Sequence, residues 1–215
     1  MRFEHEINQM QKREDKLYLL LNSREVSVVN IEKKLIELKV EFTEHNITCI
    51  YSTPDYLFFG DTFSHLYAVK DQDLVKDDPK QAVLKKQRLI GHEGWILSMF
   101  LWEGFLYTCS DDKTIKVWDL PSLVLKDELI GHKNGITTLT VANDHLYSGS
   151  YDLTIRSWSI SEMKERIALR ELLRKQEEYS IKAEAYKSYL DSKKKSKKKR
   201  KGASKSGSKS PKKKK

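Results

Sequence analysis

Two sets of residues in the second half of the chain combine a histidine, a hydroxyl group and an aspartate. The first contains His92, Ser110 and Asp112, and the second contains His132, Ser150 and Asp152. A histidine base beside a serine nucleophile, with an acid that orients the base, is the arrangement of a hydrolytic triad. The two sets recur at an interval of 40 residues, however, and one protein rarely needs two identical triads. The recurrence therefore favours a structural role and predicts that the protein is not an enzyme.

The sequence around each set is itself repeated. SDDKTIKVWDL at residues 110–120 aligns with SYDLTIRSWSI at residues 150–160, and a Gly-His pair lies upstream of each. The β-branched and aromatic residues of TIKVW and TIRSW alternate with polar ones, which is typical of a half-buried strand. Decayed copies lie over residues 17–31 and 57–69, so the four repeats end at 30, 70, 119 and 159. The longer second spacing predicts a polar surface loop near residues 71–79.

These repeats resemble the WD40 repeat, whose unit is one four-stranded blade of a β-propeller. The resemblance implies an all-β fold: a partial WD40 propeller of about four blades at residues 1–160, followed by a C-terminal α-helix and a disordered Lys-rich tail. The approximate repeat units are 1–31, 43–70, 92–120 and 132–160. In the family, a His, a Ser or Thr, an Asp and a Trp form a hydrogen-bonded tetrad that locks each blade. The residues that match it are His92, Thr108 or Ser110, Asp112 and Trp118, and then His132, Ser148 or Ser150, Asp152 and Trp158.

Four blades are an awkward number, since WD40 rings generally close with seven. We therefore expect this chain to be the C-terminal part of a longer propeller, or to be completed by another chain. A self-closing four-bladed ring and a homodimer remain open. An incomplete ring would leave strand edges and apolar faces exposed.

Residues 161–190 contain no Gly or Pro and are rich in strong helix formers, which predicts an amphipathic helix with Ser161 as its N-cap. Seven residues spaced three or four apart form a stripe along one face of this helix. The stripe suits packing either against the propeller or in a groove of another protein. The stripe consists of Leu169, Leu172, Gln176, Tyr179, Ala183, Tyr186 and Leu190.

The charge of the chain is concentrated at its C-terminus. Of 40 basic and 31 acidic residues, residues 192–215 hold 14 basic and no acidic ones, which leaves residues 1–191 with 26 basic, 31 acidic and a net charge of −5. With no apolar anchor, residues 191–215 are predicted to be disordered. The run KKKSKKKRK resembles a nuclear or nucleolar localisation signal, and dense lysine also binds phosphates nonspecifically. Its basic residues are Lys193, Lys194, Lys195, Lys197, Lys198, Lys199, Arg200 and Lys201, and Ser210 before Pro211 is a candidate phosphosite that would reduce this charge.

Several classes of function lack a sequence signal. Cys49 and Cys109 fit neither a disulfide framework nor a metal motif, and His5, His45, His65 and His145 form no metal-binding pattern. No apolar run approaches the length of a membrane-spanning helix, and no glycine-rich phosphate loop is present. We therefore expect no catalytic residue, metal, cofactor, small-molecule substrate or transmembrane segment.

The function expected from the sequence is a non-enzymatic scaffold that binds protein partners, as a subunit of a nuclear complex. By resemblance, its partner-binding residues are Trp95, Asp111 and Tyr151, beside the tight turns. The nucleus, including the nucleolus, is the expected location and the cytoplasm the second choice. One alternative is an assembly factor of the ribosome-biogenesis type that binds RNA through its tail. Another is the WD40 end of a larger ubiquitin ligase or kinase, although the ligase-adaptor motif expects Arg where this chain has Pro121.

Overall fold

A computed structural model of the chain describes residues 2–42, 45–73 and 86–203, and at 191, 192 and 194–203 it describes the backbone alone. The chain divides into two compact units, Met1–Met163 and Lys164–Lys215. Within the described residues, the first unit contains fifteen strands in four antiparallel sheets. Each sheet is a blade, numbered here one to four.

The strands follow one another along the chain and pair with their sequence neighbours. Blade one contains β1 (Ile7–Arg13), β2 (Lys16–Leu21), β3 (Glu25–Asn30) and β4 (Leu35–Glu41). Blade two contains β5 (Ile47–Ser52), β6 (Tyr56–Asp61), β7 (Leu66–Lys70) and β8 (Gln87–Leu89). Blade three contains β9 (Ile96–Trp102), β10 (Phe105–Ser110), β11 (Thr114–Asp119) and β12 (Val124–Ile130). Blade four contains β13 (Ile136–Ala142), β14 (His145–Ser150) and β15 (Ile155–Ser159).

This architecture confirms the predicted fold class, a partial four-bladed propeller followed by a helix. The third strand of each blade ends at Asn30, Lys70, Asp119 or Ser159, the positions that sequence comparison gives for the repeat ends. The fourth strands of the first three blades lie between the predicted repeat units. Of the predicted insertion, residues 71–73 form a single turn of 3₁₀ helix, and the rest lies outside the described residues.

The blades are held together by apolar residues on both faces of the sheets. The first strands of consecutive blades pack in order, β1 against β5, β5 against β9 and β9 against β13. One buried cluster joins blades one and two and includes Leu20, Ile50 and Phe59, and a second joins blades two and three and includes Phe58, Ile96 and Trp118. Burial of this apolar area is the main force that holds the four blades together.

The predicted half-buried character is wrong for β11, because its residues 115–118 are buried on both faces. Blade three lies between two other blades, so its central strands have no solvent face. The polar Lys116 is accommodated because its ammonium group reaches Glu128 on the neighbouring β12, at 2.7 Å. The equivalent strand of blade four, β15, has exposed residues at 155–157 and pairs only with β14 among the described strands.

One long helix, α1 (Ile160–Ala203), follows directly after β15. Its cap is Ser159 rather than the predicted Ser161, because the Ser159 hydroxyl accepts the backbone N–H of Glu162 at 3.2 Å. The helix continues beyond the predicted end at 190, so the first part of the tail predicted to be disordered is helical to Ala203, while residues 204–215 lie outside the described part. Lysine and arginine are good helix formers and the first glycine of this stretch is Gly202, which explains the extension.

The side chains of α1 from residue 172 to residue 190 are all exposed. Leu173, Ile181 and Tyr189 lie off the predicted stripe and are also exposed, so the apolar residues are spread round the helix. The helix is therefore less amphipathic than the stripe alone suggests. Among the described residues, no helix has the length and apolar content that a membrane crossing requires.

Candidate functional site

In blade three, four side chains from three separate elements form one chain of hydrogen bonds. His92, in the loop before β9, places Nδ1 2.7 Å from Oδ2 of Asp112 in the turn between β10 and β11. Its Nε2 lies 2.7 Å from the hydroxyl of Thr108 on β10, and the indole N–H of Trp118 on β11 donates to the same hydroxyl at 2.9 Å. The sequence left Thr108 and Ser110 as alternatives, and the geometry selects Thr108.

Ser110 and the remaining Asp112 contacts shape the tight turn instead. The Ser110 hydroxyl accepts the backbone N–H of Asp112 at 3.0 Å. Asp112 Oδ1 accepts the backbone N–H and the hydroxyl of Thr114, and Oδ2 also accepts the backbone N–H of Glu93. Lys113, at the tip, has a φ of 71°, in the left-handed region that an aspartate-stabilised turn tolerates. The Asp112 carboxylate therefore joins the inter-blade loop to the β10–β11 turn.

These contacts determine the protonation of Asp112. Burial alone would raise the pKa of its carboxyl group, but the hydrogen bonds and charge of His92, together with those from Thr114 and Glu93, hold the pKa well below its usual range. The folded protein therefore favours the ionised carboxylate of Asp112.

Blade four repeats the arrangement in the next unit of the sequence. His132 lies 2.7 Å from Asp152 and 2.8 Å from the Ser148 hydroxyl, which accepts the indole N–H of Trp158 at 2.9 Å. Ser150 again accepts the backbone N–H of the turn aspartate, so Ser148 is the member of the set and Ser150 shapes the turn. Desolvation alone would raise the pKa of Asp152, but the hydrogen bonds from Thr154, Lys133 and His132 outweigh it and hold the pKa well below its usual range.

The glycine before each histidine is required by close packing. A Cβ atom on Gly91 would lie 2.8 Å from the ring of Trp118, and one on Gly131 would lie 3.1 Å from the ring of Trp158. Each tryptophan ring therefore covers the backbone of the Gly-His pair while its N–H closes the chain of hydrogen bonds. This explains why Gly, His, Asp and Trp recur together.

The serines of the suggested triads, Ser110 and Ser150, accept backbone N–H groups of the turn aspartates, and the imidazoles bond Thr108 and Ser148 instead. The Thr108 and Ser148 hydroxyl groups are buried, and each is already bonded to an imidazole and an indole. A catalytic nucleophile needs access to its substrate, and the burial of these two hydroxyl groups prevents that access. The geometry therefore assigns both sets the structural role of locking a blade.

The three predicted partner-binding residues meet at one end of blades three and four. The backbone N–H of Asp111 donates to the carbonyl of Trp95, and that of Tyr151 donates to Gly135, at 2.9 Å in both cases. A Cβ atom on Gly135 would lie 2.5 Å from the Asp111 carboxylate, which brings the two blades together at this point. Trp95 is 53% exposed and Tyr151 60% exposed.

Sequence reasoning missed Phe63, which occupies the same end of blade two. It lies in the turn between β6 and β7, where the repeat alignment gives Asp112 in blade three, and it is 59% exposed. In an antiparallel blade, the turn between the second and third strands lies at the end where the first strand begins. Phe63, Trp95 and Tyr151 therefore define an aromatic end of the blades.

Sequence reasoning also missed a polar cluster beside Phe63. It contains His45, Asp61 and His65, each with a potential metal-ligand atom within 4.8 Å of those of the other two. The absence of a metal-binding pattern was inferred from short histidine spacings alone. A usable signal was the pair Asp61 and His65, which lie four residues apart on either side of the turn that the repeat alignment gives.

The two cysteines are deeply buried free thiols. Burial raises the pKa of Cys49 to about 12, and it raises that of Cys109 further. At neutral pH both are protonated and poorly nucleophilic.

The predicted localisation signal lies largely at or beyond the limit of the described side chains. Lys193 is exposed, and its ammonium group lies 4.9 Å from the centre of the Tyr189 ring. The backbone of the remaining residues of the run continues α1, and Ser210 lies outside the described residues.

Repeated four-stranded blades, internal His-Asp-Trp locks and sequential blade packing define a β-propeller protein. Residues 84–119 and 123–159 match the family model described as WD domain, G-beta repeat. Residues 84–159 therefore contain two WD40 repeats, and such repeats generally form non-catalytic scaffolds for protein interaction. A search of curated protein sequences gave no match.

Solved structures share the fold at low sequence identity. The crystal structure of the computationally designed Ika4 protein superposes with a TM-score of 0.60 at 17% identity, over 74% of this chain and 94% of Ika4. The designed Ika8 protein gives 0.58 at 17%, over 74% of this chain and 47% of Ika8. The structure of U3-55K gives 0.62 at 17%, over 76% of this chain and 51% of U3-55K. The chain thus spans about half the length of the last two, and these similarities establish the fold alone.

Proposed function

We propose that the protein is a scaffold subunit of a nuclear complex and that it binds a protein partner through the aromatic end of its blades. The observation that carries the proposal is the grouping of Phe63, Trp95 and Tyr151, three exposed aromatic side chains at equivalent ends of successive blades. Tyrosine and tryptophan dominate the binding energy of protein interfaces, because each buries a large area with few rotatable bonds.

The backbone beneath these side chains supports this role. The peptide groups at Trp95 and Tyr151 are fixed by hydrogen bonds to the adjacent turns, and the locks built on Asp112 and Asp152 hold those turns. A partner therefore meets preorganised side chains, which lowers the entropy cost of association. The exposed Asp111 adds a carboxylate between the two aromatic groups.

The test compares partner capture by matched variants tagged at the native locus and purified at physiological salt. We expect a set of proteins to co-purify with the wild-type chain and to be lost with the double variant Trp95→Ala/Tyr151→Ala. The control is Trp102→Ala, which removes a 40% exposed tryptophan from the opposite end of β9. Equal recovery with the double variant and the control, at equal expression and melting temperature, would contradict the proposed surface.

Nuclear localisation is proposed from the lysine-rich segment. We expect nuclear accumulation to be lost when Lys193–195 and the basic residues at 197–201 are replaced by glutamine, a residue that keeps the helix propensity and removes the charge. The control replaces Lys212–215, which removes four charges outside that run. Nuclear retention of the first variant would assign the signal to another part of the chain or to a partner.

An RNA-associated assembly factor is a second candidate, favoured by the 14 basic residues of 192–215. Lysine-rich segments bind phosphates by releasing counterions, and this binding weakens steeply as salt rises. Nuclease treatment during the same purification separates the two functions. Proteins lost with nuclease, together with recovered RNA, would support the assembly factor, whereas a nuclease-resistant set supports the protein scaffold.

A further inference from the structure

His45, Asp61 and His65 form a compact cluster at the aromatic end of blade two. Asp61 is the last residue of β6, His65 immediately precedes β7, and His45 lies just before β5. One potential ligand atom from each side chain lies within 4.8 Å of those of the other two. The cluster therefore joins the loop that enters the blade to the tight turn between its second and third strands.

Asp61 and His65 are held rigidly within this cluster. Asp61 is fully buried, and its Oδ1 accepts the backbone N–H groups of Phe63 and His65, at 2.8 Å each. Its Oδ2 lies 2.9 Å from Nδ1 of His65, and the Tyr67 hydroxyl lies 3.0 Å from the same nitrogen. One carboxylate and one imidazole are thus fixed in contact by the fold.

His45 completes the cluster with an unsatisfied nitrogen. Its Nδ1 is buried and has no hydrogen-bond partner among the described residues. Its ring packs 4.4 Å from that of Phe63 and 5.5 Å from that of His65, measured between centroids. Buried polar atoms are nearly always paired, so an orphaned imidazole nitrogen beside a second imidazole and a carboxylate indicates a missing binding partner.

We propose that His45, Asp61 and His65 bind one zinc ion. Two imidazole nitrogens and one carboxylate oxygen form a ligand set that suits Zn²⁺, which takes four ligands in a tetrahedral arrangement. With bonds of about 2.0–2.2 Å, tetrahedral ligand atoms lie roughly 3.4 Å apart. The 2.9 Å between His65 Nδ1 and Asp61 Oδ2 is close to that separation, and His45 closes the remaining gap from its loop.

The ion takes the place of the hydrogen between His65 Nδ1 and Asp61 Oδ2, and His65 keeps its own proton on Nε2, so both ligand atoms bind in their deprotonated form. A water molecule takes the fourth position.

This site joins the same parts of its blade as the locks of blades three and four, namely the loop before the first strand and the turn between the second and third strands. In the repeat alignment, Asp61 and His65 fall on Ser110 and Thr114, which flank the turn of blade three. When the repeats are aligned, however, the positions of Thr108, Asp112 and Trp118 are taken in blade two by Phe59, Phe63 and Val69. Blade two thus lacks the hydrogen-bonded lock, and the zinc ion supplies the equivalent connection.

The test uses the tag-free full chain, stripped with a chelator and titrated with Zn²⁺ by calorimetry and by thermal unfolding. We expect one equivalent to bind, and a 100-fold excess of free Zn²⁺ over Kd to raise the folding equilibrium constant about 100-fold. Mg²⁺, which prefers an all-oxygen ligand set, should leave the melting temperature unchanged.

Variants separate loss of a ligand from loss of the fold. His45→Phe keeps the ring packing and removes the orphaned nitrogen, and Asp61→Asn keeps an oxygen that can accept the two backbone N–H groups. We expect each to bind Zn²⁺ at least tenfold more weakly than the wild type. The metal-free melting temperature of His45→Phe should not fall. The control is His145→Ala, which removes a histidine from the start of β14 and should bind as the wild type does. Wild-type affinity in His45→Phe, or no binding by the wild-type chain, would overturn the proposal.

Discussion

The Thr108 hydroxyl is the point at which the blade-three lock can be tested most directly. Thr108→Val removes the oxygen and keeps the shape of the side chain. The substitution leaves the Trp118 indole N–H and the His92 Nε2 without their partner, and both groups are almost fully shielded from water. A buried polar group left unpaired costs about 1–3 kcal/mol, so the two together are expected to lower the free energy of unfolding by about 2–6 kcal/mol.

Urea unfolding of the purified chain, followed by circular dichroism, measures this loss. With a slope of about 2 kcal/mol per molar urea, the midpoint should fall by roughly 1–3 M. The equivalent Ser148→Ala in blade four should cost less, because Trp158 is partly exposed and water can satisfy its N–H. The control is Thr140→Val, at an exposed position on β13, which should change the free energy of unfolding by less than about 0.5 kcal/mol. A change of the same small size for Thr108→Val would refute the lock as a source of stability.

Two further predictions concern protonation and burial. Because the pKa of Asp112 is lower in the folded than in the unfolded chain, its carboxylate stabilises the fold above pH ~4, and this contribution is lost as the pH falls further. Asp112→Asn should therefore melt at a lower temperature than the wild type at pH 7, and this difference should shrink as the pH falls from 5 to 2.5. A difference in melting temperature that stays constant with pH would contradict the lowered pKa of Asp112. Cys49 and Cys109 should resist an aromatic disulfide reagent at pH 8 in the native state and react fully in denaturant, and rapid native labelling would contradict their burial.

The repeats of blades three and four could be predicted because their marker residues are also the members of the locks. His92, Asp112 and Trp118 are each required by a hydrogen bond, and Gly91 by contact with the tryptophan ring, so the pattern survives in sequence. Blade one retains only the apolar positions of the repeat, which still predict its strands.

Other features could not be predicted because they depend on what packs against each element. Thr108 and Ser110 both follow the period of β10, and only the direction of each side chain decides which hydroxyl meets the imidazole. The alternation in β11 predicts one solvent face, but the neighbouring blades cover both. The His45 cluster required the fold to bring a loop residue against the turn that follows β6.

Blades one and two are stabilised by a different kind of contact from blades three and four. Blades three and four each carry an internal lock, whereas blades one and two are tied to each other. The side-chain amide oxygens of Gln9 and Gln11 on β1 accept the backbone N–H groups of Ile50 and Ser52 on β5. Arg13 extends this row with an ion pair to Asp71, at 2.8 Å.

This difference bears on where a partner can bind with least loss of conformational entropy. A lock fixes the turn of its own blade, so the backbones at Trp95 and Tyr151 are ordered from within blades three and four. The contacts between β1 and β5 fix the relative position of blades one and two. The turn that carries Phe63 is ordered separately, by the hydrogen bonds that Asp61 accepts from its backbone. Phe63 therefore depends on the His45–Asp61–His65 cluster for its order, and metal binding there would extend the rigid part of the aromatic end from two blades to three.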